Sequence, residues 1–347
     1  MNKKVVFFIP SVEEGGVEKN LYIISNYLTK KKISINILTC NFDKKKKFNK
    51  KINFIGPNNL YFIKNSRLFK TIVCIVYLFI YLLKNNSRTL VFSLQANLYA
   101  IIISKITFTK VIVRANSSPT GWSKNHLKRI IYKFIINFAD DVMVNSEEFK
   151  KMFYKVFKVK AKCIFNPFDK YFVLKKLNKN ITTFNQKKSL KILSIGRLTN
   201  QKDQLTLLKA AKYISLKLNP EIIIIGKGYN YNKLKFYIQN NNLEKKVKLL
   251  GYQSNPYNFL KKTDILILTS KYEGLPNILL EAQFLKKYII STNCSSGPRE
   301  ILLNGKAGDL FGIGNYKNLA KIINSYPNKK KVILKKINFG TKNFNRY

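Results

Sequence analysis

The amino-acid sequence predicts an α/β protein with two doubly wound parallel sheets, and three observations support this prediction. Short β-branched runs alternate with amphipathic segments, which is the pattern of parallel strands covered by helices. The pattern breaks at the Asn166-Pro167 step, and a Lys- and Asn-rich segment follows over residues 175–188. It then restarts, and 347 residues suffice for two domains of ordinary size. We predict domains over 1–168 and 169–329, with 330–347 as a candidate tail helix that crosses back to the first domain.

Each expected strand of the first domain is a short, mostly apolar run bounded by polar residues. These strands are Val5–Ile9, Ser34–Thr39, Ile52–Ile55, Thr89–Ser93, Lys110–Arg114, Asp141–Asn145 and Lys162–Phe165. The helices expected between them are Val17–Lys30, Leu68–Leu83, Gln95–Ile106, Lys124–Ala139 and Glu147–Phe157.

The second domain repeats this alternation. Its expected strands are Lys191–Ile195, Glu221–Ile225, Val247–Leu250, Asp264–Thr269 and Tyr288–Ser291. Its expected helices are Asp203–Leu218, Tyr231–Asn240, Pro256–Lys261, Asn277–Phe284 and Pro298–Leu302. Ligands of such sheets lie beyond the carboxyl ends of the strands, so a substrate is expected in a cleft between the two domains.

Composition narrows the choice of function. The chain has 64 Lys and Arg against 17 Asp and Glu, a net charge of +47 that favours anionic partners. An A+T-rich genome would also give abundant Lys, Asn and Ile, so the charge alone does not identify the partner. Four scattered cysteines without a Cys-x-x-Cys motif indicate a reduced, cytosolic protein. A single histidine, His126, which we expect at the surface, argues against metal hydrolases and Ser-His-Asp enzymes.

The longest apolar stretch is Thr71–Leu83. It is shorter than the roughly 20 residues that span a bilayer as a helix. We therefore expect a buried or membrane-facing helix, and the lysines on either side also suit an interfacial helix. The apolar run Val5–Ile9 ends at Pro10, too early for a signal peptide.

Two strand-to-helix loops are candidates for binding an anion. Gly15 and Gly16 precede the first expected helix, where glycines allow a close backbone approach and the helix dipole favours an anion. A plain tight turn explains the two glycines equally well. Arg197 and Lys202 both lie shortly before another expected helix, near its start, and could neutralise a diphosphate.

The strongest candidate is the segment Glu-Gly-Leu-Pro-Asn-Ile-Leu-Leu-Glu over residues 273–281. Glu273 lies in a loop after an expected strand, where it could meet sugar hydroxyls. Glu281 lies one turn into the following helix, where it could hold ribose hydroxyls. The N–H groups of Asn277 and Ile278 would lie at the helix N-terminus and face phosphate. The alternative is that both glutamates are simply solvated.

Two other loops have simpler explanations. Capping chemistry explains Ser295-Ser-Gly-Pro-Arg-Glu300, and Gly226-Lys-Gly228 is typical of a generic turn.

Together these residues resemble glycosyltransferase family 4, retaining transferases of the GT-B fold, in which two Rossmann-like domains face each other across a cleft. The resemblance rests first on residues 273–281, which match the Glu-x7-Glu motif of that family. It also rests on Gly196-Arg197 with Lys202, Gly-Gly-Val-Glu-Lys (15–19), Asn166-Pro167 and Ser-Gly-Pro-Arg-Glu-Ile (296–301). The last segment is similar to the subgroup that builds lipopolysaccharide, capsule or lipid-linked oligosaccharides.

The resemblance implies a role for each matching residue. Arg197 and Lys202 would bind the donor diphosphate, Glu281 the ribose and Glu273 the transferred sugar. Gly16 would lie near the reacting phosphate, and Gly251-Tyr252 where such enzymes hold the base. The N-terminal domain would bind the acceptor and the C-terminal domain the nucleotide sugar. The leaving diphosphate would help to deprotonate the acceptor, so neither a cofactor nor a metal is expected.

One departure concerns a histidine that many members carry after the fifth N-terminal strand. This chain has Arg114-Ala-Asn116 there, and Arg114 or Asn116 is a candidate to replace it.

The resulting hypothesis is the transfer of a hexose or N-acetylhexosamine from a nucleotide sugar, UDP-linked by preference, to a lipid-linked or surface-glycan acceptor. The basic segments Lys44–Lys47, Lys124–Lys133 and Lys150–Lys162 would hold the protein on the anionic inner leaflet. A sugar-nucleotide epimerase of the same fold is one alternative. A basic nucleic-acid-binding protein is another, although no recognisable nucleic-acid module favours it.

Overall fold

The structure is a computed structural model that describes residues 4–12, 15–41, 45–57, 66–117, 119, 125–177, 184, 189–294 and 296–344. Two units emerge from its internal contacts, unit 1 (Met1–Pro167) and unit 2 (Phe168–Tyr347). The division falls directly after the Asn166-Pro167 step at which the sequence pattern breaks. Most of the expected linker over 175–188, together with Lys44, Lys124 and Ser295 of the expected motifs, lies outside the described residues.

Unit 1 contains a fully parallel sheet. Its strands are β1 (Lys4–Phe8), β2 (Ser34–Leu38), β3 (Asn53–Ile55), β4 (Thr89–Ser93), β5 (Lys110–Ala115), β6 (Asp141–Val144) and β7 (Lys162–Cys163). They lie in the order β3-β2-β1-β4-β5-β6-β7. The seven runs expected from the sequence are these seven strands, with shifts of one or two residues at their ends.

The helices of unit 1 are α1 (Gly16–Lys30), α2 (Arg67–Asn85), α3 (Asn97–Ile106), α4 (His126–Ile136) and α5 (Glu147–Phe157). The chain moves in one direction across the sheet from β3 to β7, so right-handed crossovers place α2 to α5 on the same face. The core under that face includes Cys74, Leu78, Ile101 and Phe153, all fully or almost fully buried. A separate core, which includes Leu21 of α1, covers the other face.

Unit 2 repeats this design. Its strands are β8 (Leu190–Ile195), β9 (Pro220–Ile225), β10 (Val247–Leu249), β11 (Ile265–Leu268), β12 (Tyr288–Thr292) and β13 (Asp309–Phe311), in the order β10-β9-β8-β11-β12-β13. Its helices are α6 (Lys170–Lys176), α7 (Gln204–Ala211), α8 (Tyr231–Asn240), α9 (Tyr257–Lys262), α10 (Asn277–Phe284), α11 (Pro298–Ile301), α12 (Tyr316–Asn324) and α13 (Lys330–Asn343).

Each sheet has one point at which the strand order reverses direction. In unit 1 the chain leaves β1 towards β2 and later passes from β4 towards β5, so β1 and β4 flank the reversal. In unit 2 the same relation holds for β8 and β11. The crossover helices on the two sides of such a point diverge, which leaves a crevice at the carboxyl ends of the strands.

Three elements of unit 2 were not expected from the sequence. The helix α6 ends at the start of the lysine-rich segment and is stabilised at its own start by Asp169, whose Oδ1 accepts the Phe172 N–H at 2.9 Å. The strand β13 is only three residues long, and α12 has a narrow apolar stripe. The expected helix over 203–218 ends at Ala211 and is followed by a 3₁₀ turn at Leu216–Leu218.

The tail helix α13 belongs to unit 2 and packs against α10 and β12. Its Ile333 is part of the unit 2 core. Asp309 on β13 accepts a hydrogen bond from the Tyr288 hydroxyl and forms an ion pair with Lys336 of α13. This carboxylate therefore joins the tail helix to two strands of the sheet.

We expect Asp309→Ala to lower the free energy of unfolding by about 1–3 kcal/mol, because the largely buried Tyr288 hydroxyl loses its acceptor. Hydrogen exchange should also become faster along α13. A matched control is Lys105→Ala, which removes an exposed ion pair with Asp140 in unit 1 and should change stability by less than about 1 kcal/mol. Unchanged exchange in α13 would contradict this account of how the helix is held.

Candidate functional site

The candidate site lies at the reversal point of the unit 2 sheet, where the loops that follow β8 and β11 meet. Lys202 comes from the first loop and Glu273 from the second, and the two side chains form an ion pair. Glu273 is buried, and Lys202 is only slightly exposed. The structure thus brings together two of the residues that the sequence indicated, in the crevice where a ligand of such a sheet is expected.

The Glu273 carboxylate is held by more than the lysine. Ser270 donates a hydrogen bond from Oγ to Glu273 Oε1 at 2.6 Å. Ser296 donates from its hydroxyl to the Glu273 carbonyl oxygen. Both serines are fully buried. A buried carboxylate with these partners is kept in one orientation, as a group that must meet a substrate at a fixed position requires.

Backbone and side-chain hydrogen bonds join the two loops into one body. Thr269 donates from Oγ1 to the Lys202 carbonyl at 2.9 Å. Gln201 donates from Nε2 to the Tyr272 carbonyl at 3.0 Å, and its own carbonyl accepts the Lys271 N–H at 2.8 Å. The position of Lys202 relative to Glu273 is therefore set by the backbone as well as by their charges.

Arg197 is placed differently from Lys202. It is exposed, and its Nη2 lies 3.5 Å from Gln201 Oε1, at the limit of a hydrogen bond. Its carbonyl accepts from Gln204 Nε2 at 3.0 Å, which fixes the backbone but leaves the guanidinium in solvent. A guanidinium so placed can turn towards an anionic ligand with little loss of existing contacts.

The second glutamate of the motif, Glu281, lies one turn into α10 and is buried. Asn277 and Ile278 are the first two residues of α10, so their N–H groups lie at its positive end. The loop that precedes α10 passes very close to the backbone of Gly297, where a Cβ would overlap the Gly274 carbonyl oxygen. Only glycine allows the two backbones to approach this closely.

Gly251 and Tyr252 follow β10 at the same edge of the sheet. Gly251 has a φ of +67° and accepts the Gly226 N–H at 2.8 Å. Tyr252 is half exposed, and the Lys227 ammonium lies 5.1 Å from its ring centre. An exposed ring beside a backbone turn gives an aromatic surface that a planar base can stack on.

Four features of this site were missed or underestimated in the sequence analysis. Ser296 does not cap the helix that follows it: Gly297 occupies the cap position of α11 without a side-chain cap, and the serine bonds Glu273 instead. Gly226 and Gly228 are more than a generic turn, because a Cβ at either would overlap a carbonyl oxygen of the Gly196–Leu198 loop. Gln201 has no sequence signal, since its partners lie in another loop, and the bond from Ser270 to Glu273 within one loop matches no motif.

Unit 1 has a corresponding crevice at its own reversal point. A cavity of about 310 Å³ lies there, lined by Pro10, Ser11, Leu68, Thr71, Gln95, Ala96 and Tyr99. Gly16 is the exposed first residue of α1, and Glu18 lies in the first turn. Gln95 donates from Nε2 to Glu18 Oε1 at 3.3 Å, so one hydrogen bond spans the loops after β1 and β4.

Of the two candidates for the absent histidine, Arg114 is buried within unit 1. Its Nη2 donates to the Ile164 carbonyl at 2.9 Å and to Asn166 Oδ1 at 3.0 Å, and burial lowers its pKa to about 10. Asn116 donates weakly to the Leu94 and Arg114 carbonyls, both at 3.4 Å, and its buried Oδ1 has no partner among the residues that the structure describes. Asn116 therefore retains an unused acceptor at the carboxyl end of β5. His126 is exposed at the start of α4, as expected.

Metal ligation was also considered. Among the described residues, no group of three or more His, Cys, Asp or Glu side chains is placed to hold an ion.

The chain was compared with known proteins. A family model described as glycosyl transferases group 1 matches residues 176–338, which include every candidate residue of unit 2. An uncharacterized glycosyltransferase, MJ1059, of Methanocaldococcus jannaschii is 38% identical over 209 residues, or 56% of this chain and 50% of that protein. The chain thus spans half of the length of this relative.

A Campylobacter jejuni protein is 26% identical over 92% of this chain and 87% of its own length. It is named GalNAc-α-(1→4)-GalNAc-α-(1→3)-diNAcBac-PP-undecaprenol α-1,4-N-acetyl-D-galactosaminyltransferase.

The crystal structure of Anabaena Alr3699/HepE in complex with UDP and glucose superposes with a TM-score of 0.80 at 16% identity, over 99% of this chain and 95% of that one. The predicted GT-B fold is confirmed by the two parallel α/β units and by this likeness. The family model and both relatives are described as glycosyltransferases.

The close backbone approach at Gly297 leads to a prediction about stability. Gly297→Ala should lower the free energy of unfolding by about 1–3 kcal/mol or more, because the new methyl group must displace the backbone that carries Gly274. Gly312→Ala is the matched control, since its Cβ would make only an ordinary contact with Asn315 at 3.7 Å. Urea unfolding of the two variants measures the difference, and equal stabilities would argue against the close approach.

Proposed function

We propose that this chain is a retaining, metal-independent transferase of glycosyltransferase family 4. It would move a hexose or N-acetylhexosamine from a nucleotide sugar, with UDP as the nucleotide, to a lipid-linked or surface-glycan acceptor. The observation that carries the proposal is the buried pair of Lys202 and Glu273 at the reversal point of unit 2, with Glu281 on the adjoining helix. Relatives with transferase names favour transfer over the epimerase alternative.

The proposed donor site divides the nucleotide sugar among three sets of groups. Lys202 and Arg197 neutralise the diphosphate and the charge that develops on it as the glycosidic bond breaks. The N–H groups of Asn277 and Ile278 add the positive end of α10. Glu281 accepts hydrogen bonds from ribose hydroxyls, Glu273 accepts them from the transferred sugar, and Tyr252 with Gly251 supports the base.

The ion pair between Lys202 and Glu273 has a mechanistic consequence. A phosphate that binds Lys202 competes with the Glu273 carboxylate for the same ammonium group. Once the phosphate takes the lysine, the carboxylate is released to accept hydrogen bonds from a sugar. Donor binding would thereby prepare Glu273 for its own ligand.

The other half of the reaction is proposed for unit 1. The acceptor would occupy the cavity beside Gln95 and Tyr99, with Gly16 near the reacting phosphate. The leaving diphosphate would take the proton of the acceptor hydroxyl on the same face of the sugar, which retains the anomeric configuration. Neither a cofactor nor a metal is needed in this scheme. We further propose that the protein acts at the cytoplasmic face of the membrane.

Incubation of the protein with a panel of nucleotide sugars and a lipid extract, followed by mass spectrometry, tests the proposal directly. A glycosylated lipid product with release of free nucleoside diphosphate is expected. An isomerised sugar nucleotide formed without any acceptor would instead favour the epimerase.

Substitution of the two glutamates should affect nucleotide binding and turnover differently. Glu273→Gln should reduce turnover by about a hundredfold or more, yet bind UDP at least as well as the wild type, because the amide competes less for Lys202. Glu281→Ala should weaken UDP and uridine alike, roughly tenfold or more, through the lost ribose contact. Calorimetry with both ligands and a steady-state assay measure these effects, and full activity in both variants would refute the assignment.

Substitution of Lys202 should weaken the binding of phosphate groups and leave the binding of the nucleoside unchanged. Lys202→Met is expected to lose roughly 10- to 100-fold in affinity for UDP, because one hydrogen bond to a charged group contributes about 1.5–3 kcal/mol. Its affinity for uridine should stay the same, which separates phosphate binding from a general loss of folding. Lys202→Arg, which keeps the charge, should recover part of the UDP affinity. A parallel loss for uridine would contradict the proposed role.

A further inference from the structure

The helix α2 carries apolar residues on two opposite faces. Cys74, Leu78 and Leu82, spaced by four, are fully buried in the core of unit 1. On the other side, Ile72, Val76 and Ile80 are each about half exposed. A surface helix of a water-soluble domain normally places polar residues on the side away from its core. Here that side is apolar as well.

The two neighbouring helices continue this surface. The chain packs α2 beside α3 and α3 beside α4 on one face of the sheet. Ile102 of α3 is exposed, as are Ile130 and Phe134 of α4. Together with Ile72, Val76 and Ile80 these residues define what we call the α2–α4 face. Apolar surface shared by three adjacent helices is more than the scattered exposure usual for a monomer.

The length of α2 raises the question of whether it crosses a membrane. Among the described residues, one segment, Leu68–Asn85, is long and apolar enough for this by length and composition. However, its other face is part of the packed core, and Asn36 of β2 donates from Nδ2 to the Tyr81 hydroxyl at 2.9 Å. A helix that supplies the core of an α/β unit cannot leave the sheet to span a bilayer. Its exposed side can still lie at the surface of one.

The charges around the α2–α4 face indicate which partner covers it. Lys84 at the end of α2 and Lys133 on α4, three residues after Ile130, are exposed. The whole chain carries a net charge of +47. Two copies placed face to face would bring these lysines together and repel each other. An anionic lipid surface pairs the lysines with phosphates while the apolar side chains enter the boundary between headgroups and acyl chains.

The position of the unit 1 cavity agrees with a lipid partner. Leu68 and Tyr99, both exposed apolar residues, lie on α2 and α3 and also line that cavity. The apolar surface and the cavity therefore share side chains. A lipid-linked substrate in a bilayer under this face would meet the cavity without leaving the membrane surface.

We propose that the α2–α4 face docks unit 1 on an anionic lipid bilayer, so that lipid-borne acceptors reach the unit 1 cavity from the membrane plane. The docking itself stands on the exposed side chains and the lysines, whereas the route of the acceptor rests on the proposed function. The mode of binding is interfacial, with α2, α3 and α4 parallel to the membrane.

The test uses the full chain and sedimentation with vesicles of phosphatidylcholine alone or mixed with phosphatidylglycerol. The double variant Ile80→Gln/Phe134→Gln changes side chains that are 49% and 67% exposed. The matched control Leu174→Gln/Phe236→Gln changes helical residues of unit 2 that are 51% and 64% exposed. We expect the first variant to lose on the order of 10- to 100-fold in affinity for the mixed vesicles. The control should bind like the wild type.

Several outcomes would overturn the docking proposal. One is equal binding of the wild type and the Ile80→Gln/Phe134→Gln variant. Another is a wild-type dimer in light scattering that the same variant converts to monomers, which would make the face a contact between copies. Circular dichroism and thermal unfolding of both variants are the folding control, which separates a loss of binding from a loss of structure.

These experiments distinguish a failure of the docking proposal from a failure of the proposed function. If UDP binds normally and the vesicle result is as expected but no sugar is transferred to any lipid, the proposed function fails and the docking surface stands. If a water-soluble acceptor is glycosylated by both variants but vesicle affinity does not differ between them, the docking proposal fails and the function stands.

Discussion

Lys202 and Glu273 are 71 residues apart in the chain, and their ion pair joins the two loops at the reversal point of the unit 2 sheet. Because the pair is buried, removal of either partner would leave an uncompensated charge, which costs about 3–5 kcal/mol of stability. Further hydrogen bonds fix the position of Glu273 relative to Lys202. They come from the hydroxyl groups of Ser270 and Ser296 and from the backbone of Gln201. Arg197 lies in the same loop as Lys202, and Glu281 lies on the helix that follows the loop of Glu273.

The two units use one topology for two kinds of crevice. In unit 2 the reversal point holds charged side chains, a helix start and loops locked by Gly226 and Gly297, which suits a rigid anion such as a nucleotide diphosphate. In unit 1 it holds a mainly apolar cavity, and the start of α1 already has Glu18 in its first turn. That carboxylate partly satisfies the helix dipole. The chemistry of the two crevices is thus consistent with the division between donor and acceptor that we propose.

Much of the architecture was predictable because strand and helix periodicity are local properties of the sequence. The bounds of Glu147–Phe157, Tyr231–Asn240 and Asn277–Phe284 agree with the sequence to the residue. The short strand Asp309–Phe311 was missed because it has only two apolar residues and lies between Gly308 and Gly312, a pattern typical of a turn. Contacts between loops were also missed: the hydroxyl of Ser296 bonds a residue 23 positions away, where capping of its own helix was expected. Arg114 looked like a catalytic candidate, yet the surrounding strands bury it against Asn166.

The exposed side of α2 shows how one segment satisfies two requirements. Cys74, Leu78 and Leu82 must be apolar for unit 1 to fold, whereas Ile72, Val76 and Ile80 contribute nothing to that core. Polar residues at positions 72, 76 and 80 would suit a protein that contacts only water, because the exposure of an apolar side chain to water is unfavourable. An A+T-rich genome explains abundant isoleucine, but not why it adjoins equally exposed residues on two more helices. A surface that must meet lipid accounts for both the composition and its placement.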